Sequence, residues 1–238
     1  MKIFLDAGHN DSGHNTGATG NGLREQDLTF NTAKLCGDFL RQKGVDVMLS
    51  RPTKETNLGT SNSTSLSERC RLANEWGADY FLSVHYNAGG GTGSECLHVT
   101  ENGRAFGEPV LASLVRAIGL TNRGMKKRTD LYVLNHTKMP AALIEVAFID
   151  NMRDATVIST HQHVIAGAIA DGILSYVGMP KEDKEDEITM GDNDNEQKDV
   201  VAFIAEKAGI DEKHWRYMIE YIPSIRSLFE KIAAVWGK

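Results

Sequence analysis

The chain is poor in cysteine, proline and long apolar runs, and each shortage removes a class of protein. Its three cysteines, Cys36, Cys70 and Cys96, lie far apart with no CxxC spacing, which excludes a disulfide framework and a thiolate zinc site. They are expected to be small buried hydrophobes. No apolar run approaches the roughly 20 residues that a bilayer-spanning helix needs. The opening Met-Lys-Ile-Phe-Leu-Asp turns polar and glycine-rich within a few residues, so the h-region of a signal peptide is missing. The expectation is a signal removed before residue 1, or release by another route. An excess of basic charge is also lacking. The formal net charge is -6, and residues 181–199 account for it with nine acidic and three basic side chains. Neither flanking part has the basic balance of a nucleic-acid binder.

What is present is an alternation of strand-like and helix-like segments over the first 178 residues, the pattern of an α/β fold with helices on both faces of a central sheet. Strands are predicted at 2–6, 45–49, 80–84, 94–99, 131–134 and 142–147. Helices are predicted at 25–43, closed by Gly44, and near 105–119 and 160–177. A further helix ends near Trp76, with Ser65 and Glu68 as its S-x-x-E capping box. A glycine-rich loop joins Gly8 to Gly22. The expected fold class is a three-layer sandwich around a mostly parallel sheet, spanning residues 1–179. Residues 180–199 begin with Pro180 and carry almost no apolar side chain, so they read as an acidic linker. Helical periodicity returns over 200–238, and the apolar side chains there exceed what three short helices hide alone. This predicts a small helical module for cell-wall targeting or self-association.

Three zinc-type ligands stand where an α/β enzyme places its site. His9 follows the first strand, Glu25 opens the first helix and His85 extends a central strand. Taken singly, a loop histidine is commonly a surface residue and a glutamate in a first turn commonly serves the helix dipole. His85 caps the apolar run Tyr-Phe-Leu-Ser-Val and needs a partner, either a metal or a hydrogen bond. Glu145 lies between Ala-Ala-Leu-Ile and Val-Ala-Phe-Ile, within a segment that reads as a buried strand. A carboxylate there requires a cationic partner, a metal or a raised pKa, and the last is what a general base uses. Asn87 is either a substrate contact or a turn residue after the strand. His98, His136, His161, His163 and His214 match no ligand position.

Four segments in order resemble the zinc-dependent N-acetylmuramoyl-L-alanine amidases, the group of phage endolysins and bacterial cell-separation amidases. They are Asp-Ala-Gly-His-Asn around His9, Gly-Leu-Arg-Glu-Gln-Asp-Leu around Glu25, Leu-Ser-Val-His-Tyr-Asn-Ala around His85 and Met-Pro-Ala-Ala-Leu-Ile-Glu-Val-Ala-Phe-Ile-Asp-Asn around Glu145. The resemblance covers about residues 1–177. It implies that His9, Glu25 and His85 hold one Zn²⁺, leaving the open position of a catalytic site, and that Glu145 is the catalytic carboxylate. It further implies peptidoglycan as the substrate and a phage lysin or a secreted bacterial enzyme as the setting. The sequence departs from the family pattern at His14, which stands at a position more often held by a non-ligating residue, at Tyr86 and at Val146-Ala147. Two rival readings are a zinc carboxypeptidase-like hydrolase and a catalytically silent peptidoglycan-recognition domain. The first usually shows H-x-x-E, whereas 16 positions separate His9 from Glu25; the second should lack the metal set or the carboxylate.

Overall fold

The computed structural model describes residues 1–179, so the acidic linker at 180–199 and the helical module at 200–238 lie outside the described residues. In chain order the elements are β1 (Lys2–Ala7), β2 (Thr19–Gly20), β3 (Leu23–Arg24), α1 (Glu25–Gln42), β4 (Asp46–Leu49), α2 (Asn62–Trp76) and β5 (Tyr80–Asn87). After these come β6 (Ser94–His98), α3 (Glu101–Ile118), β7 (Asn122–Lys127), α4 (Tyr132–Asn135), β8 (Ala141–Phe148), α5 (Met152–Thr160) and α6 (Gln162–Tyr176). Six strands form one sheet in the order β4-β1-β5-β8-β6-β7, while β2 and β3 make a small antiparallel ladder in the loop before α1. The four strands from β4 to β8 run parallel. β6 is antiparallel to β8, and β7 follows β6 in parallel at the edge.

Strand alternation divides the side chains between two cores. Leu82, Val84 and Tyr86 of β5, with Ala142, Ile144 and Val146 of β8, pack in a large cluster with α1, α3 and α6. Phe81 of β5, with Ala141 and Leu143 of β8, packs in a smaller cluster with α2 and α4. His85 and Glu145 share the parity of the second set. They therefore share the face of the smaller cluster, beyond its last members on the two strands.

The expected three-layer sandwich is found, with three local corrections. The segment 131–134 is helix, not strand. Asn135 Nδ2 donates to the carbonyls of Thr129 and Leu131, and Thr137 Oγ1 donates to that of Val133, which curls the chain and turns Val133 and Leu134 inward. The edge position belongs instead to β7, whose polar Asn-Arg-Gly-Met-Lys-Lys shows no apolar alternation because none of its residues is buried. Helix α2 starts four residues before the expected cap: Ser61 accepts from Thr64 N, and Thr64 Oγ1 completes the capping box. Ser65 is buried inside the helix and bonds to Asn10 and Asn15. The predicted helix at 160–177 is found as α6, and a helix not foreseen, α5, precedes it from Met152. The three cysteines are free and buried, as expected.

Candidate metal centre

Three side chains from three elements converge. His9 leaves the end of β1 in the left-handed region, with φ of 64°. Glu25 is the first residue of α1 and is buried. His85 stands near the end of β5. One oxygen of Glu25, Oε1, lies 3.0 Å from His9 Nε2 and 3.0 Å from His85 Nδ1. The two imidazoles meet edge to face with centroids 4.7 Å apart. One donor atom from each of the three residues falls within 4.8 Å of the others, the only such group of three among the described residues.

The surroundings are shaped to this contact. A Cβ on Gly8 would stand 2.4 Å from His85 Nε2, and one on Gly17 would stand 2.6 Å from Glu25 Cβ, so glycine is required at both close approaches. Tyr86 N donates to Glu25 Oε1 and Ala18 N donates to Oε2. Burial alone would raise the Glu25 pKa, but the His85 and His9 imidazoles outweigh it and hold the carboxyl well below its usual range. An ionised carboxylate and two imidazoles are the donor set that suits a borderline-soft divalent cation such as Zn²⁺, and His9 Nδ1 is enclosed without a hydrogen-bond partner. The residues therefore fit a metal.

Glu145 lies beside this group, opposite His85 in the parallel register of β5 and β8. Its Oε2 is enclosed and has no hydrogen-bond partner among the described residues. Burial, reinforced by the negative charges of Glu25 and Glu95 and opposed by Arg128, pushes its pKa up to about 8. That is the range in which a carboxyl group exchanges protons near neutral pH. Asn87 is engaged at both ends of its amide: Nδ2 donates to Glu95 Oε1 at 3.3 Å, and Oδ1 accepts from Ala88 N. His14 is exposed, and the metal-donor group does not include it.

Sequence reasoning missed the support behind His9. Arg69 of α2 is fully buried and bonds to Asp6 Oδ1 at 2.5 Å, to the Ala7 and His9 carbonyls at 2.6 Å each, and to Asn10 Oδ1 at 3.1 Å. Ser83 donates to the other oxygen of Asp6. Asp6, an acid ending the apolar run Ile-Phe-Leu, carried the same signal that marked Glu145; its partner, 63 residues away, did not.

Residues 3–175 match the family model described as N-acetylmuramoyl-L-alanine amidase. The chain belongs to this family. The chain is 37% identical over 188 residues to the N-acetylmuramoyl-L-alanine amidase CwlM of Bacillus licheniformis, an alignment covering 76% of this chain and 70% of that protein. It is 31% identical over 191 residues to the endolysin of Bacillus phage SPP1, covering 75% and 67% respectively. Among solved structures, the catalytic domain of CwlV from Bacillus (Paenibacillus) polymyxa var. colistinus superposes with a TM-score of 0.67 at 28% identity. That match covers 75% of this chain and 99% of CwlV's domain. In this amidase the mostly parallel sheet with helices on both faces is accordingly the family's catalytic fold, and the three-donor group sits at its sheet ends.

Proposed function

We propose that this amidase hydrolyses the amide between the lactyl group of N-acetylmuramic acid and the L-alanine of the peptidoglycan stem peptide, using Zn²⁺ held by His9, Glu25 and His85. The observation that carries this reading is the pairing of a metal-fit donor group with a proton-exchanging carboxyl, His85 beside Glu145 on adjacent strands. Zinc, when bound, supplies a Lewis acid that polarises the amide carbonyl and makes water acidic near neutral pH. Glu145 accepts the proton of the attacking water at its carboxylate. It then returns that proton to the departing alanine nitrogen, which must be protonated to leave. Glu25, kept ionised by its two histidine neighbours, contributes negative charge to the ligand set and does not compete for the proton. Asn87 enters as a substrate contact through its place beside Glu95.

Product analysis on purified peptidoglycan tests the reaction. New alanine amino termini with no new reducing sugar ends are expected, and a protein that binds the wall without releasing either is a recognition domain. Glu145→Gln should lower turnover by about 10²- to 10⁴-fold while keeping about one zinc per chain, whereas His9→Ala and His85→Ala should lose metal and activity together. Full zinc in both histidine variants would sink the ligand assignment. Residues 200–238 complete the proposal as a targeting or self-association module joined by an acidic linker, in an enzyme that acts at the cell wall as a phage lysin or a secreted autolysin.

A further inference from the structure

Beyond Glu145 the sheet continues outward through two strands, and this face carries charged side chains next to the apolar Leu97. Glu95 of β6 stands opposite Glu145 in the antiparallel register, and Lys126 of β7 stands opposite Leu97, a member of the smaller core cluster. Glu95, Lys126, Glu145 and His85 thus share one face. Glu95 is buried, and its Oε2 accepts from Arg123 Nε at 2.6 Å and from Lys126 Nζ at 2.5 Å. One carboxylate gathers two cations, so a positive charge is left over. The cations remain accessible, at 32% and 41% side-chain exposure against 10% for Glu95.

Arg123 is oriented as well as charged. Glu95 fixes its Nε, and its guanidinium lies over the Phe148 ring at 4.9 Å. Phe148 is in turn packed against Gly91, where an added Cβ would stand 2.4 Å from the ring. Because Nε is the atom spent on Glu95, that contact leaves free the Nη1–Nη2 edge, which grips a carboxylate with two parallel hydrogen bonds. A guanidinium held by an ion pair and a ring face has already lost much of its rotamer freedom, so an anion arriving there meets a preorganised fork.

We infer that Arg123 and Lys126, held by Glu95, form a subsite for a free carboxylate on the stem peptide. The inference rests on the amidase reading and deepens it. Neighbouring strands lie about 4.8 Å apart, which puts β7 roughly 10 Å from the strand of Glu145. An extended peptide advances about 3.3 Å per residue, so the carboxylate is carried two to three residues beyond the scissile amide. Sugar hydroxyls and acetamido groups carry no charge to match this subsite, so the stem peptide runs across β6 and β7 and the glycan strand leaves the cleft elsewhere. Lysines on an edge strand also discourage strand pairing with other chains, a role indifferent to which face they occupy.

The test compares two soluble muramyl peptides, one with a free carboxylate and one with a carboxamide at the second stem residue, on the zinc-loaded full chain. The acid is expected to have the higher kcat/KM by about tenfold. Arg123→Gln should bring that ratio to within about twofold of one. Lys127→Gln, on the opposite face of the same edge strand, should leave the ratio intact. A wild-type ratio of one, an Arg123→Gln variant that keeps the preference, or a Lys127→Gln variant that loses it equally overturns the subsite. Cleavage of neither peptide would instead refute the amidase reading. Calorimetry with the acid and amide dipeptides still reads the subsite in that case, since equal affinity overturns it and an acid preference lost in Arg123→Gln supports it.

Discussion

At Glu145 the chain places a carboxyl group where its charged form is disfavoured, and this has a measurable consequence for folding. Without metal, burial pushes its pKa up to about 8 in the folded chain, from about 4.5 for an unperturbed glutamate carboxyl. The protonated form is the one the fold favours, so its contribution is full below about pH 4.5 and is lost as pH rises through about 8. Melting in chelator should therefore show Glu145→Gln and the parent chain equally stable near pH 4.5. The variant should be more stable by a few kcal/mol above pH 8. A stability difference independent of pH would contradict the assignment. Arg69 presents the reverse case, a buried charge that is matched. Arg69→Ala leaves Asp6 buried and uncompensated, and should cost about 3–5 kcal/mol in urea unfolding. The double variant Asp6→Ala/Arg69→Ala should recover part of that loss. Because Arg69 also holds the His9 carbonyl, chelator competition should find zinc bound more weakly in the single variant.

Among the elements, α3 and α6 meet on the larger core through small residues. A Cβ on Gly172 of α6 would stand 2.4 Å from Val110 Cα of α3, a backbone atom that cannot swing aside. Gly172→Ala should separate the helices and cost about 1–3 kcal/mol by thermal melting, although alanine is the better helix former. An unchanged melting temperature would show that the crossing is loose. Helix periodicity announced α6 from its sequence, but not which helix would approach so closely. The cap of α2 shows the same limit at one end of an element. Ser61–Thr64 and Ser65–Glu68 both offer a hydroxyl three residues before a polar partner, and local sequence favours the second because its partner is glutamate. Burial of Ser65 against Asn10 and Asn15 decided for the first.

For the molecule as a whole, the three proposed metal donors sit at the end of a sheet whose two cores are complete without them. Chelation should therefore abolish activity while leaving the circular dichroism spectrum of the α/β domain in place, and Zn²⁺ should restore the rate. A spectrum that collapses on chelation would show the metal to be structural. A chain ending at Met179 should stay folded and cleave soluble muropeptides at a rate similar to the full chain, yet lyse intact cells more slowly. Loss of soluble-substrate activity would place residues 200–238 within the catalytic fold.

The sequence alone determined the layered α/β class, because strand and helix periods are local, and it marked His85 and Glu145, because polar groups in apolar strands demand partners; His9 and Glu25 were joined to them by the resemblance of four ordered segments to the amidases. It could not assign β7 or α4, since an edge strand with no buried residue loses its alternation and a four-residue helix is decided by side-chain capture of nearby carbonyls. Nor could it join Arg69 to Asp6 or Arg123 and Lys126 to Glu95, for those pairs span 28 to 63 residues and exist only once the sheet order is set. The tertiary structure decided these because partner choice for a buried charge depends on which strands become neighbours, and that is a property of the packed sheet.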